Sequence, residues 1–258
     1  HIHQVGHCYR CKNIVEPFIS QQWFLSEKIA ENSIKETKKH NNFHPAHWIN
    51  SYTAWMDELR PWCISRQLWW GHRRPVLTCN DCGHQWADKA DEPETCPKCG
   101  SKDMTQDPDV LDTWFSSALW AMSPLGWGNN GKLSELYNET DMEDFYPNSL
   151  LITGFDIMFF WVARMMMMGE HFQGKLPFED IYMHALVRDE HGAKMSKSKG
   201  NVIDPLDMVE EHSADIIRFT LAYLAVQGRD IKLGAKNLEQ FRNFTNKLYN
   251  ASNYLQLN

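Results

Sequence analysis

At 258 residues and 43% hydrophobic content, the chain is long enough to bury one large core or two smaller ones. Its 26 basic against 33 acidic residues give a net charge of −7, the wrong sign for gripping nucleic acid by bulk electrostatics. Any contact with RNA must therefore be local, and DNA is not an expected partner. The long apolar stretch Ile157 to Met168 is interrupted by Arg164 and too short to cross a bilayer, so it reads as a buried helix and no membrane partner is expected.

The first segment, His1 to about Pro17, opens without an initiator Met, a charged leader or a cleavage site, and reads as a start in mid-domain. It carries Cys8 and Cys11 on a short knuckle. A mostly helical stretch follows, in which Trp48, Tyr52, Trp55, Met56 and Leu59 recur at helical spacing until Pro61 ends the pattern. Next comes Trp62-Cys63-Ile64-Ser65-Arg66-Gln67-Leu68-Trp69-Trp70-Gly71-His72, dense in aromatic residues, with Cys63 most simply a core residue. From Cys79 to Cys99 a separate hairpin is expected, because its middle, Asp88 to Thr95, is polar and loop-like.

After Asp107 the pattern alternates between strands and helices. Trp114 to Met122 reads as a helix, Leu150 to Thr153 as a short buried strand, Phe155 to Met168 as a helix and Ile181 to Val187 as a second strand. This is the rhythm of a doubly wound α/β domain. Thr153-Gly154-Phe155-Asp156 then falls where strand gives way to helix, the edge at which such sheets bind ligands. Ser213 is the expected N-cap of a helix carrying Ile216, Ile217, Phe219, Leu221 and Leu224. The last pattern, Leu238, Phe241, Phe244, Leu248 and Leu255, makes an apolar stripe whose partner is absent from the sequence, as expected of a fragment.

Six of the seven cysteines fall in Cys-x-x-Cys pairs, and no secretory signal is present, which favours metal binding in a reducing cytoplasm over disulfides. Cys79, Cys82, Cys96 and Cys99 form two such pairs thirteen residues apart, each followed by a glycine, Gly83 and Gly100. That spacing can bring four thiolates to one tetrahedral point, so structural Zn2+ is expected; the competing reading is a ribbon that has kept its cysteines and lost the metal. Cys8 and Cys11 are half a site. His3, His7 or an upstream cysteine pair could complete it, and two surface thiols without metal fit equally well. The other signal is Lys194-Met195-Ser196-Lys197-Ser198-Lys199-Gly200-Asn201, with three lysines in six residues beside small hydroxyl groups. Such a loop suits polyphosphate, although composition alone would also describe a solvated surface loop.

Lys-Met-Ser-Lys-Ser is a signature of the class I aminoacyl-tRNA synthetases, and three further blocks resemble their valyl, isoleucyl and leucyl branch. Trp62-Cys63-Ile64-Ser65-Arg66-Gln67 with Trp70-Gly71 is similar to the segment that re-enters the catalytic domain in that branch. Asp112-Thr113-Trp114-Phe115-Ser116-Ser117 and Thr153-Gly154-Phe155-Asp156-Ile157 look like its valyl side. The resemblance implies ATP with Mg2+, valine and tRNA(Val) as reactants: valine is activated as an adenylate, pyrophosphate leaves, and the acyl group passes to the terminal ribose of the tRNA. It further implies Lys194 and Lys197 as the catalytic lysines, and Lys194, Ser196, Lys197, Gly154, Asp156, His184 and Val187 around ATP. Trp114, Ile157 and Trp161 would form the amino-acid pocket, though Trp and Ile on a buried helix are usually core and Asp156 could be a plain helix cap.

The implied organisation is α/β, the second half of a Rossmann-like catalytic domain. Residues 1–17 would end the insertion carrying an editing domain, 18–75 return to the catalytic domain, 76–105 form a zinc ribbon, and 106–205 hold the catalytic half-domain with the lysine loop. Residues 206–235 would contact the tRNA stem, and 236–258 begin an α-helical anticodon-binding domain. The His-Ile-Gly-His half of the ATP site is absent, so these residues alone are expected to be inactive. Two rivals remain open: the isoleucyl enzyme of the same class, which differs by one methylene of substrate, and a non-catalytic, zinc-stabilised RNA-binding module.

Overall fold

The computed structural model describes residues 4–8, 11–40, 43–88, 94–128, 141–196, 199–225 and 230–257. They fall into two compact units, one of His1–Glu27 with Arg60–Ser116, the other of Lys28–Leu59 with Ser117–Asn258.

The first unit is built from short antiparallel strands. Phe24–Leu25 pairs with Trp62–Cys63, Ser65–Arg66 pairs with Val110–Leu111, and a ribbon places Val76–Cys79 between Gln85–Ala87 and Met104–Gln106. Strands this short bury little apolar surface, and charged groups do much of the joining. The buried carboxylate of Asp112 accepts from the Trp62 indole N–H at 3.0 Å and the Arg66 guanidinium at 2.6 Å, and caps the Trp114 N–H at 3.0 Å. Two blocks fifty residues apart in sequence are thus tied at one side chain. Arg74, only 4% exposed, pairs with Asp107 and lies over the Trp23 ring at 5.4 Å.

In the second unit, helix α1 (Glu31–His40), strand β1 (Phe43–His44), helix α2 (Trp48–Asp57), strand β2 (Asn148–Gly154), helix α3 (Ala163–Gln173) and strand β3 (Phe178–His184) form the α/β body. All three strands run parallel in the order β1-β3-β2, and Gly154 lies opposite His184, so the C-terminal ends of β2 and β3 finish level. Every residue from Val162 to Gly169 is buried, as a helix hydrophobic all round should be. Four consecutive methionines, Met165 to Met168, fill this core beside Phe43, Tyr52 and Ile181, where an unbranched side chain adapts to irregular gaps. Burial pushes the Tyr52 hydroxyl up to about 12.

Downstream, strand β4 (Val187–Arg188) pairs in parallel with β5 (Ile231–Lys232), and helices α4 (Pro205–His212), α5 (Ala214–Leu224) and α6 (Ala235–Leu257) close a second small core. Met208, Ile216, Ile217, Leu238 and Phe241 are buried there, and Phe219 stacks on Phe244 at 5.4 Å. Beyond Phe244 the stripe of α6 is uncovered: Leu248 and Leu255 are exposed.

Several local expectations change. The helix expected over Trp114 to Met122 ends at Ser117, because the Ser117 carbonyl takes the Trp161 indole N–H at 3.0 Å and a tight Trp120 N–H at 3.1 Å. The helix expected from Phe155 begins as a 3-10 turn over Phe155–Ile157, widens to a π-helix over Met158–Val162, and only then becomes α3. The strand expected over Ile181 to Val187 breaks after His184, since Leu186 turns its N–H to Asp230 and Val187 pairs with Ile231. Strand β2 is buried on one face only, with Leu150 and Ile152 exposed. Ser213 stands at the N-cap position of α5 as expected, but at a φ of 76° its side chain makes no capping bond; the preceding helix α4 is capped by Asp204, which accepts the Leu206 N–H at 2.8 Å.

Candidate active site and metal centre

The level C-terminal ends of β2 and β3 make the edge on which the second unit gathers its polar residues. Gly154 ends β2 so tightly that a Cβ there would stand 2.8 Å from Asp156 Oδ1 and 3.1 Å from Leu186 Cδ2. A side chain at this position would have to push the Asp156 carboxylate or the Leu186 side chain aside. Asp156 sits in the following 3-10 turn, exposed, and makes no helix cap. Its carboxylate lies 3.6 Å from the Lys194 ammonium, so the lysine loop reaches back to the sheet edge. His184, at the end of β3, turns Nδ1 to the Ala185 carbonyl at 2.9 Å, and Val187 is exposed at the start of β4. Ser196 is positioned through its backbone N–H, which donates to Asn201 Oδ1 at 2.9 Å. Gly154, Asp156, His184 and Lys194 are thus brought to one edge, while Lys197 lies outside the described residues.

The π-turn after this edge aims its aromatic side chains individually, as π-bulges at functional sites often do. Phe159 stacks on Trp55 at 5.2 Å and the Trp161 indole is fixed by its bond to Ser117, while Phe155, in the 3-10 turn before them, stacks on Trp48 at 5.3 Å. Ile157 precedes the wide turn and is half-buried. In the first unit Trp114 is half-buried on Thr113–Ser117, its backbone N–H held by Asp112. The sequence reading missed Asp189 and Asn201, which shape the root of the lysine loop; a turn-forming Asp ahead of Gly192 and an Asn after Gly200 were the available signals.

In the ribbon, the Sγ atoms of Cys79, Cys82, Cys96 and Cys99 all lie within 4.8 Å of one another, with Cys79 and Cys99 at 3.5 Å and Cys82 and Cys96 at 3.8 Å. A tetrahedron of thiolates at the usual zinc bond length has edges of about 3.8 Å, so the four residues can hold such an ion. At Cys99 the Ser101 N–H favours the thiolate, but the sulfurs of Cys82 and Cys79 outweigh it and push the thiol up to about 12. Four thiolates this close need a cation between them. Both knuckles share one backbone pattern: Gly83 N–H bonds the Cys79 carbonyl and Cys79 N–H the His84 carbonyl, each at 2.9 Å. Gly100 N–H bonds the Cys96 carbonyl at 2.9 Å, and Cys96 N–H the Ser101 carbonyl at 2.8 Å. The same pattern recurs at Cys8, where Lys12 N–H bonds the Cys8 carbonyl at 2.9 Å and Cys8 N–H the Asn13 carbonyl at 2.8 Å.

A family model described as tRNA synthetases class I (I, L, M and V) matches residues 8–234. The chain belongs to the class I tRNA synthetases. Among curated members, it is 66% identical to a valine–tRNA ligase of Nitratiruptor over 100% of this chain and 30% of that protein. It is 61% identical to the valine–tRNA ligase of Helicobacter pylori, over 100% of this chain and 29% of that one. The chain therefore spans about three-tenths of the relatives it matches. Among solved class I structures, methionyl-tRNA synthetase of Mycobacterium tuberculosis, bound by methionyl-adenylate, superposes with a TM-score of 0.62 at 19% identity over 93% of this chain and 40% of that one. LeuRS of Agrobacterium radiobacter, in a ternary complex with tRNA and LeuAMS, gives a TM-score of 0.57 at 24% identity over 72% of this chain and 27% of that one. At those identities the likeness speaks for the fold.

Proposed function

We propose that the chain is the section of a valine–tRNA ligase that carries the second half of the catalytic domain. The observation that carries this reading is the reach of the lysine loop to the ligand edge of the parallel sheet, Lys194 beside Asp156, in a chain 66% identical to a valine–tRNA ligase. The relatives favour valine over the isoleucyl reading and over a non-catalytic RNA-binding module. The valine carboxylate attacks the α-phosphorus of ATP, which enters as its Mg2+ complex, and the bond to pyrophosphate breaks. Negative charge grows on the phosphoryl oxygens and the leaving group, where Lys194 and Lys197 stabilise it, with Ser196 beside them. Gly154, Asp156, His184 and Val187 border the adenosine, and Trp114, Ile157 and Trp161 contact the valine side chain. The acyl group then passes to the terminal ribose of tRNA(Val), in the cytoplasm.

Cys79, Cys82, Cys96 and Cys99 would hold Zn2+ as a closed set with no coordination position for substrate, so its role is structural. The recurring knuckle supports reading Cys8 and Cys11 as half of a second metal site. We also assign residues 1–17 to the end of an editing insertion, 206–235 to a tRNA stem contact and 236–258 to the start of an anticodon-binding domain. By this reading the 258 residues alone are inactive.

The test is amino-acid-dependent exchange of pyrophosphate into ATP by the full-length ligase, with valine, isoleucine, leucine and threonine assayed separately. Exchange should be strongest with valine and fall about 10²- to 10³-fold in Lys197→Ala, the scale of losing one preorganised charge-stabilising group. An isoleucine preference would overturn the substrate, and no exchange with any amino acid would overturn the ligase reading.

A further inference from the structure

The lysine loop is tied at its root by two side chains. Asp189 begins a tight turn after β4: its Oδ1 accepts the backbone N–H groups of Ala193 at 2.7 Å and His191 at 3.1 Å. Its Oδ2 is left for a different task and accepts the Asn201 side-chain amide at 2.9 Å. Asn201 lies at the far root of the loop, beyond the lysines. Its Oδ1 accepts the Ser196 N–H at 2.9 Å, and its Nδ2 also approaches the Lys194 carbonyl at 3.3 Å. The near root is held again by the bridge between Arg188 and Lys194, and the Lys199 N–H turns back to the Ser196 carbonyl at 3.1 Å. One carboxylate therefore closes the turn with one oxygen and the loop with the other.

We propose that Asp189 is a positioning residue that, through Asn201, clamps the two roots of the lysine loop together and so sets where Lys194 meets the ATP phosphates. This rests on the ligase reading. The Asn201 amide, with the Ala193 N–H behind it, holds the Asp189 carboxyl below the usual carboxylate range, so the clamp is charged throughout the neutral range. A role confined to the turn would need only Oδ1. Asparagine at position 189 keeps that oxygen and sets an amide against the Asn201 amide, so it breaks the clamp and spares the turn.

The experiment compares wild type, Asp189→Asn, Asn201→Asp and the exchanged double variant in the full-length ligase. One readout is the rate of tryptic cleavage after Lys194, Lys197 and Lys199, which does not depend on activity. The other is valine-dependent pyrophosphate exchange, with kcat and the KM values for ATP and valine taken separately. Either single substitution should speed cleavage in the loop and lower kcat by about tenfold or more, the scale on which misplaced catalytic groups act. The KM for valine should hold, since the amino-acid pocket is untouched. Exchanging the pair restores a donor facing an acceptor, and should return both readouts to within about threefold of wild type, as coupled partners do in a double-mutant cycle. Wild-type cleavage and exchange in Asp189→Asn, or a double variant no better than the worse single, would overturn the clamp. Absence of exchange in the wild type would sink the ligase reading and the catalytic half of this inference, while the cleavage rates would still decide whether the clamp exists.

Discussion

Between Cys79 and Cys99 each turn that presents a cysteine is closed by backbone hydrogen bonds, whereas between Asp189 and Asn201 the two roots of the loop are joined to each other by side chains. In the ribbon each knuckle closes on its own carbonyls, and side-chain bonds from Ser101 to Asp81 at 2.5 Å and from Asn80 to Asp103 at 2.6 Å tie the two together around the four sulfurs. In the lysine loop backbone bonds close the local turns, and one carboxylate and one amide join the two roots. A structural metal needs a cage that does not move, and a backbone cage meets that need. If the loop meets and releases a polyphosphate, as proposed, it is better held at its roots, leaving its middle to the substrate.

The comparison breaks most visibly on metal removal. Structural zinc in small domains contributes about 10–16 kcal/mol of apparent binding energy, which is folding energy for the ribbon. Chelation, or Cys96→Ser, should therefore abolish zinc binding and expose the amides of Val76 to Gln106 to fast hydrogen exchange. Exchange at Asp189 to Ser196 should not change, because those bonds involve no cysteine. Slow exchange retained in a metal-free ribbon would mean that backbone bonds suffice there.

A smaller effect is expected at Arg74, which is 4% exposed and faces Asp107 and Asp109 below the ribbon. Arg74→Ala leaves those carboxylates without their cation and should cost about 3–5 kcal/mol, read from the denaturant midpoint. A loss under about 1 kcal/mol would place this pair with solvated surface ion pairs. The Arg74 guanidinium holds the Asp107 carboxyl below its ordinary value of 3.8. The stability it supplies is complete above that pH and is lost as the pH falls through the lower folded value. Asp107→Asn should flatten the fall in stability below pH 3.8, and an unchanged slope would exclude the pair as its source.

The same contrast explains what could be read in advance. The four cysteines were legible because metal geometry dictates their spacing, and strands β2 and β3 because their apolar runs are bounded by polar turns; β1, two residues long within a stretch that reads as helical, was not. Nor was the π-turn at Met158–Val162, since a bulky apolar run reads as an ordinary helix until Trp55 and Ser117 each claim a side chain from it. Asp189 and Asn201 were missed for a similar reason. Each is an ordinary turn former taken alone, and the bond that gives the pair meaning spans twelve residues. The shortening of the helix at Ser117 likewise depends on an indole forty-four residues away.

The smallest and sharpest test uses the three knuckles against one another. Gly83 and Gly100 occupy the left-handed region at φ of 67° and 75°, and the same place after Cys11 is taken by Lys12 at 63°. A Cβ at either glycine would meet nothing within 4 Å, so substitution there is felt through the backbone alone. Gly83→Ala and Gly100→Ala should each destabilise the ribbon by about 1–2 kcal/mol, the cost of a side chain in that region. Lys12→Gly reverses the situation: it relieves that cost but adds freedom to the unfolded chain, so the net gain should be no more than about 1 kcal/mol. Hydrogen exchange at the Cys8 and Lys12 amides would register it. Slower exchange there would show that the first knuckle is an independent copy of the ribbon's two. Faster exchange would mean that the lysine side chain, and not the backbone pattern shared with Cys79 and Cys96, holds the turn in place.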